Sequence, residues 1–254
     1  MEQMQKAEEL LDTLFELNEC DPELLKLVWN KKSGIKSEII KDLYDKLVYM
    51  HENPEEYKNV KAKTRGNLLE ELIKQITIKT KNFELFENIT NDTNEYDIII
   101  KTSNLARRYA YNALPKIIFQ PIICECKNYQ SRIDVTWVGK FYSLLSISNI
   151  KVGIIFSYEG VTGQAENDWS DAWGLIRKIY LKDEIAIISI GIKELDRIVA
   201  GESFCDILEE KFIELQTMTS IENEKIYHVS EEKAKKLLDK IEEEARKLKT
   251  KGEV

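Results

Sequence analysis

The 254-residue sequence predicts an α/β fold, a sheet with helices on both faces. Helical and strand periodicities alternate through the middle of the chain in the order αβββαβ, followed by αβ. The strand candidates are short apolar runs rich in β-branched residues, the composition that suits a pleated, buried surface. Length and composition agree, since a chain this long, 43% hydrophobic and 32% charged, can bury well over half of the surface its unfolded form exposes. It needs neither disulfides nor a metal in order to fold.

The elements follow in order. Met4, Ala7, Leu11 and Leu14 recur at alternating spacings of three and four, Asp21-Pro22 starts a second helix, and Ile39, Leu43 and Leu47 continue a later one. Gly66 to Ile78 is a helix with Leu68, Leu69, Leu72, Ile73 and Ile76 on one side, followed by a strand around Phe83 to Ile89. Tyr96 to Ile100 is a second strand, and Ile117 to Cys126 a third, with Pro121 marking an edge position or a bulge early in it. A helix from Trp137 to Ser148, a strand from Lys151 to Ser157, a helix carrying Ala165, Trp169, Ala172, Trp173 and Ile176, and a strand from Glu184 to Ile190 complete the middle. From a Ser230 cap, Ala234, Leu238, Ile241, Ala245 and Leu248 form a terminal amphipathic helix, compatible with packing on its own domain or with a dimer or partner contact. Three segments result: a helical N-terminal extension (1–60), a central domain (61–201) and a helical C-terminal extension (202–254).

Several classes are excluded. No uncharged apolar run approaches the roughly 18 residues of a membrane span. The acidic start lacks the features of a secretory signal, so a cytoplasmic location is expected. Cys20, Cys124, Cys126 and Cys205 fit a reducing interior, and with only His51 and His228 as imidazoles no four-ligand zinc set is apparent. No phosphate-cradling glycine loop and no nucleophile elbow occurs, which removes support for ATP, dinucleotide and serine-hydrolase chemistry. The spacing of Trp137, Trp169 and Trp173 favours core packing over base stacking.

Charge and chemistry concentrate in the middle. The net charge of −8 divides into −6 over residues 1–60, +2 over 61–201 and −4 over 202–254. Residues 101–141 hold seven basic side chains (Lys101, Arg107, Arg108, Lys116, Lys127, Arg132, Lys140) against two acidic ones, a local patch of the kind phosphate binding requires. The stretch from Arg107 to Tyr111 is either a solvated loop or a DNA contact. In Pro121-Ile-Ile-Cys-Glu-Cys-Lys127 the faces alternate, so Glu125 and Lys127 emerge on one side and Cys124 and Cys126 on the other. Asp97 heads the run Ile98-Ile99-Ile100, so two acids from neighbouring strands can meet at one edge of the sheet. Hard oxygen donors of this kind suit Mg²⁺.

Asp97, followed 28 positions later by Glu125-x-Lys127, with Glu70 on a preceding helix, resembles the PD-(D/E)xK nuclease motif. More narrowly, Gly66-Asn-Leu-Leu-Glu70, Tyr96-Asp97-Ile-Ile, Cys124-Glu-Cys-Lys127-Asn128, Val152-Gly-Ile-Ile-Phe156 and Gly160-Val-Thr-Gly-Gln-Ala165 resemble the Mrr-like restriction endonuclease domain, over about residues 62–200. Tyr96 replaces the proline of the motif, Glu125 stands where many Mrr-like members have glutamine, and Lys101 to Lys116 is an insert.

The resemblance implies a restriction-endonuclease-like core, a central mixed sheet flanked by helices; the helical N- and C-terminal extensions lie outside it. It implies a metal-dependent endodeoxyribonuclease acting in restriction or another defence against foreign DNA. Asp97 and Glu125 would ligate Mg²⁺, or Mn²⁺ in its place, with Glu70 completing the site and Lys127 orienting or helping to deprotonate water. Arg107, Arg108, Lys116, Arg132 and Lys140 are the candidate DNA contacts. A structure-selective nuclease of the junction-resolving or repair type, and a catalytically silent DNA- or protein-binding module, remain alternatives on the same core. DNA is the expected partner, together with a homodimer for duplex cleavage or a protein bound through the terminal helices, and no membrane.

Overall fold

A computed structural model describes residues 37–90, 95–111, 114–163 and 171–217, with isolated positions before 37. All of the described residues belong to one compact unit, Met1–Met218; a second unit, Thr219–Val254, lies outside the described residues. Outside them too lie the expected helix through Met4, Ala7, Leu11 and Leu14, the Asp21-Pro22 start, the helix from Ser230, and Ala165 with Trp169.

The unit is a mixed, open five-stranded sheet flanked by helices. Helix α1 (Glu38–Glu52) buries Ile40, Leu47 and Met50, and α2 (Ala62–Lys79) buries Leu69, Leu72, Ile73 and Ile76 at helical spacing. Helix α2 begins four residues before the expected start at Gly66, because Ala62 to Arg65 offer no apolar periodicity to read. Strands β1 (Phe83–Thr90) and β2 (Glu95–Thr102) pair antiparallel from Phe83↔Thr102 to Thr90↔Glu95. The insert forms α3 (Asn104–Tyr109), capped by the Ser103 hydroxyl, and a 3₁₀ turn (Lys116–Phe119).

Strand β3 (Ile122–Lys127) pairs antiparallel with β2 and parallel with β4 (Val152–Ser157), which pairs parallel with β5 (Ala186–Ile190), giving the order β1-β2-β3-β4-β5. This corrects the expected strand from Ile117 to Cys126, which Pro121 divides into the 3₁₀ turn and β3. Proline brings no N–H for the ladder, so pairing starts after it, and β3 is an interior strand rather than an edge. The last strand starts at Ala186 rather than Glu184, because Glu184 caps helix α5 (Ala172–Asp183) in the left-handed conformation, at φ 53°.

Helices cover both faces. Helix α4 (Val135–Ile147) is capped by Asp134, whose carboxylate accepts from the Thr136 and Trp137 amides at 2.9 and 3.1 Å. It crosses β4 so closely that a Cβ on Gly153 would stand 2.6 Å from the Phe141 ring and 2.7 Å from Leu145. Gly153 pairs with Ile123, so α4 lies over the face that also carries Glu125 and Lys127. Helix α6 (Ile192–Val199) leads to α7 (Phe204–Thr217) on the opposite face, where the Phe204 ring meets Phe156 at 6.2 Å and Phe83 at 5.8 Å. Phe204, Cys205, Ile207, Leu208 and Leu215 join the same core as the sheet, so this part of 202–254 is an integral layer of the domain. Among the described residues no helix is long and apolar enough to cross a membrane.

Candidate functional site

The site forms where β2 and β3 part. Their ladder joins Ile98–Ile100 to Ile122–Cys124 and stops one residue short of Asp97 and Glu125. There the Cys126 amide donates to Asp97 Oδ2 at 3.2 Å, so the carboxylate takes the place of a backbone acceptor and is held in orientation. Alternation along β3 buries Cys124 and Cys126 and turns Glu125 and Lys127 to the other face, as expected. Burial raises the Cys126 thiol well above its ordinary value, which suits a small hydrophobe rather than a reactive thiolate.

Lys127 joins the two acids. Its Nζ pairs with Glu125 Oε1 and lies 3.8 Å from Asp97 Oδ2. The side chains of Lys127, Glu125 and Asp97 are only 18, 17 and 26% exposed, so this is a sheltered network rather than a solvated surface pair. Burial first, then the Asp97 charge, raises the Glu125 carboxyl, and the Lys127 contact only partly offsets them. For Lys127 burial acts downward, but its hydrogen bond to Glu125 and the charges of Glu125 and Asp97 prevail and hold the ammonium above its ordinary value. Lys127 is therefore a cation at neutral pH.

Glu70 stands across a cleft of about 580 Å³, which it lines with Asp97, Lys127, Arg65 and Asn128. Its carboxyl is also raised, by burial and then by Asp97. Among the described residues no three His, Cys, Asp or Glu side chains gather as a metal-binding group, so Glu70 is not drawn onto Asp97 and Glu125. The donor chemistry nonetheless suits a divalent ion, since two hard carboxylates, Asp97 and Glu125, share a single ammonium at the head of the cleft.

The predicted DNA contacts disperse. Lys140 approaches the site, with Nζ 4.6 Å from the Trp137 ring centroid. Arg107 instead ties the insert together, donating to the Thr102 and Phe119 carbonyls at 3.3 and 3.0 Å. Arg108, Lys116 and Arg132 are exposed. A side chain expected to pack in the core borders the site as well. Trp137 is part-buried as expected, yet Lys127 Nζ also lies 5.0 Å from its ring centroid, so the indole borders the site. Beside it a second hollow of about 250 Å³ is lined by Glu125, Lys127, Lys140 and Ile155, and Lys127 forms the rim between the two cavities.

Asn128 fastens the end of β3. Its amide donates to the Arg65 carbonyl at 2.7 Å, and its Oδ1 lies 2.6 Å from His51 Nε2. His51 stacks on Tyr158 with ring centroids 3.6 Å apart, and burial lowers its pKa. No motif announces His51 or Arg65. Arg65 stands four and seven residues before Leu69 and Leu72, so it continues their side of α2 as a polar end.

The raised Glu125 carboxyl has a consequence for stability. Because the folded state holds the proton more tightly than the unfolded chain, stability falls as pH rises from the ordinary value of 4.5 through the raised folded value, then levels. Without divalent ions, Glu125→Gln is expected to melt above wild type at pH 8, with the difference shrinking toward pH 4. Thermal melts across that range check it, and a variant less stable at pH 8 contradicts it.

Compared with protein-family models, curated proteins and solved structures, the chain finds no significant match.

Proposed function

We propose that the chain is a Mg²⁺-dependent endodeoxyribonuclease with a restriction-endonuclease-like core, hydrolysing DNA phosphodiester bonds in restriction or another defence against foreign DNA. The observation that carries this reading is the convergence of Asp97, Glu125 and Lys127 at the parted ends of β2 and β3. The order of helices and strands from α2 to β4 supports it, as does the sequence resemblance.

Asp97 and Glu125 would hold the ion, with Glu70 facing it across the cleft. A bound Mg²⁺ supplies a water of lowered pKa and neutralises charge on the phosphoryl oxygens. Lys127, held protonated, is suited to orient the attacking water and to stabilise charge on the phosphorane rather than to act as the base. The Cys126 amide keeps Asp97 aimed, and the Trp137 ring gives the Lys127 ammonium a second favourable contact. In the reaction a water oxygen bonds to phosphorus, the bond from phosphorus to the 3′ oxygen breaks, and that oxygen leaves with a proton. The products carry a 5′-phosphate and a 3′-hydroxyl.

Supercoiled plasmid incubated with the full chain tests the reading. Nicked and linear products are expected with Mg²⁺ or Mn²⁺ and not with EDTA. Intact plasmid under all three conditions, or cleavage that persists in EDTA, refutes it.

A further inference from the structure

We infer that the open face of α2 around Gly66 seats a backbone phosphate of the DNA strand, next to the phosphate being cut. The inference rests on the nuclease reading and adds a second contact point on the substrate. Gly66, Glu70 and Lys74 follow one another at spacings of four on α2, so they share a stripe, and all three line the 580 Å³ cleft. Gly66 thus stands one turn, about 5.4 Å, before Glu70.

A glycine inside an 18-residue helix costs about 1 kcal/mol relative to alanine. Two ordinary reasons for tolerating it fail here. Gly66 is not among the glycines of positive φ, which are Gly160, Gly163 and Gly201. Nor does it make room for a neighbouring element, because a Cβ at Gly66 would meet no described atom within 4 Å. Gly153 shows the contrast, its missing side chain being required by Phe141 and Leu145. What the absent side chain leaves open at Gly66 is the cleft itself, and with it the approach of a ligand to the helix backbone.

The chemistry of the wall points to an anion. Arg65 Nε is buried without a hydrogen-bond partner, Lys63 and Asn67 stand beside it, and Lys127 faces them across the cleft. The Arg65 carbonyl holds Asn128, the residue after Lys127, so this turn of α2 is tied to the end of β3 and cannot drift from Asp97 and Lys127. A phosphodiester at Gly66 would accept from the guanidinium, and the strand it belongs to would run over the helix where any side chain would obstruct it.

The test uses the full chain with EDTA present and measures binding of a fluorescent DNA duplex by anisotropy, alongside thermal melts and Mg²⁺-dependent cleavage. Gly66→Ala is expected to melt at or above wild type but to bind about 10-fold more weakly, and Gly66→Leu more weakly still. Arg65→Gln should fold normally and reduce the slope of log affinity against log salt by about one, the loss of one phosphate contact. Wild-type affinity in both Gly66 variants, a lowered melting temperature for Gly66→Ala, or an unchanged salt slope for Arg65→Gln would overturn the inference. If the wild type cuts plasmid while the variants bind and cut as well as it does, the inference fails and the nuclease reading stands. If the wild type neither binds nor cuts DNA, both fall.

Discussion

Replacing Asp97 with alanine is expected to lower the rate of DNA cleavage by about 10³-fold or more, with the fold intact. Asp97 meets both the Cys126 amide and the Lys127 ammonium, so its loss removes a carboxylate donor and leaves Lys127 attached to Glu125 alone. Lys127→Ala should cost a similar factor for a different reason, since it removes the ammonium that the proposed mechanism uses to stabilise the phosphorane. The two routes separate experimentally. Titrating Mg²⁺ should shift the half-saturating concentration upward for an Asp97→Asn variant and leave it near wild type for Lys127→Ala, while both lose turnover. Plasmid cleavage time courses at several Mg²⁺ concentrations give both quantities. Wild-type rates in either alanine variant would remove the catalytic assignment of that residue.

Phe156→Ala is expected to destabilise the domain by about 3–5 kcal/mol, the range for truncating a fully buried aromatic. Phe156 lies on β4 between Cys126 of β3 and Ile190 of β5, is 1% exposed, and packs its ring on Phe204 of α7. Its loss opens a cavity between the sheet and α7, and it loosens the strand beside the one that presents Glu125 and Lys127. Urea unfolding followed by circular dichroism measures the change, and a midpoint within error of wild type would show that α7 is not held through this contact. A chain ending near residue 202 would lack Phe204, Cys205, Ile207, Leu208 and Leu215 of the core, and the same unfolding measurement on it shows whether it folds. The expectation is that it does not.

The sheet was legible because its strands are short apolar runs rich in β-branched residues and its helices repeat with period 3.6, and each pattern survives without knowledge of its neighbours. Tyr96 to Ile100, read as a strand, lies in β2, and Lys151 to Ser157, read as another, matches β4 to within one residue. Boundaries failed where a single residue overrode the pattern. Pro121 cut an apolar run in two, Glu184 adopted a left-handed cap, and the Asp134 cap started a helix at Val135, two residues before the expected Trp137. Asp97, Glu125 and Lys127 stood out because charged side chains interrupt apolar strands, a costly placement that a site can justify. A count of local charge could not foresee that the Arg107 guanidinium bonds to the Thr102 and Phe119 carbonyls, because those carbonyls come from segments that only the fold brings beside it.

By itself, the sequence determined the α/β class, the strands that bear the acids, and the face of β3 on which Glu125 and Lys127 emerge, because alternation and helical period are local properties of the backbone. Tertiary structure alone decided that Asp97 and Glu125 share the Lys127 ammonium, that Trp137 borders it, and that α2 brings Glu70, Arg65 and Gly66 to one cleft. Those facts depend on the register of β2 against β3 and on where α2 and α4 cross the sheet, which are settled by packing between segments distant along the chain.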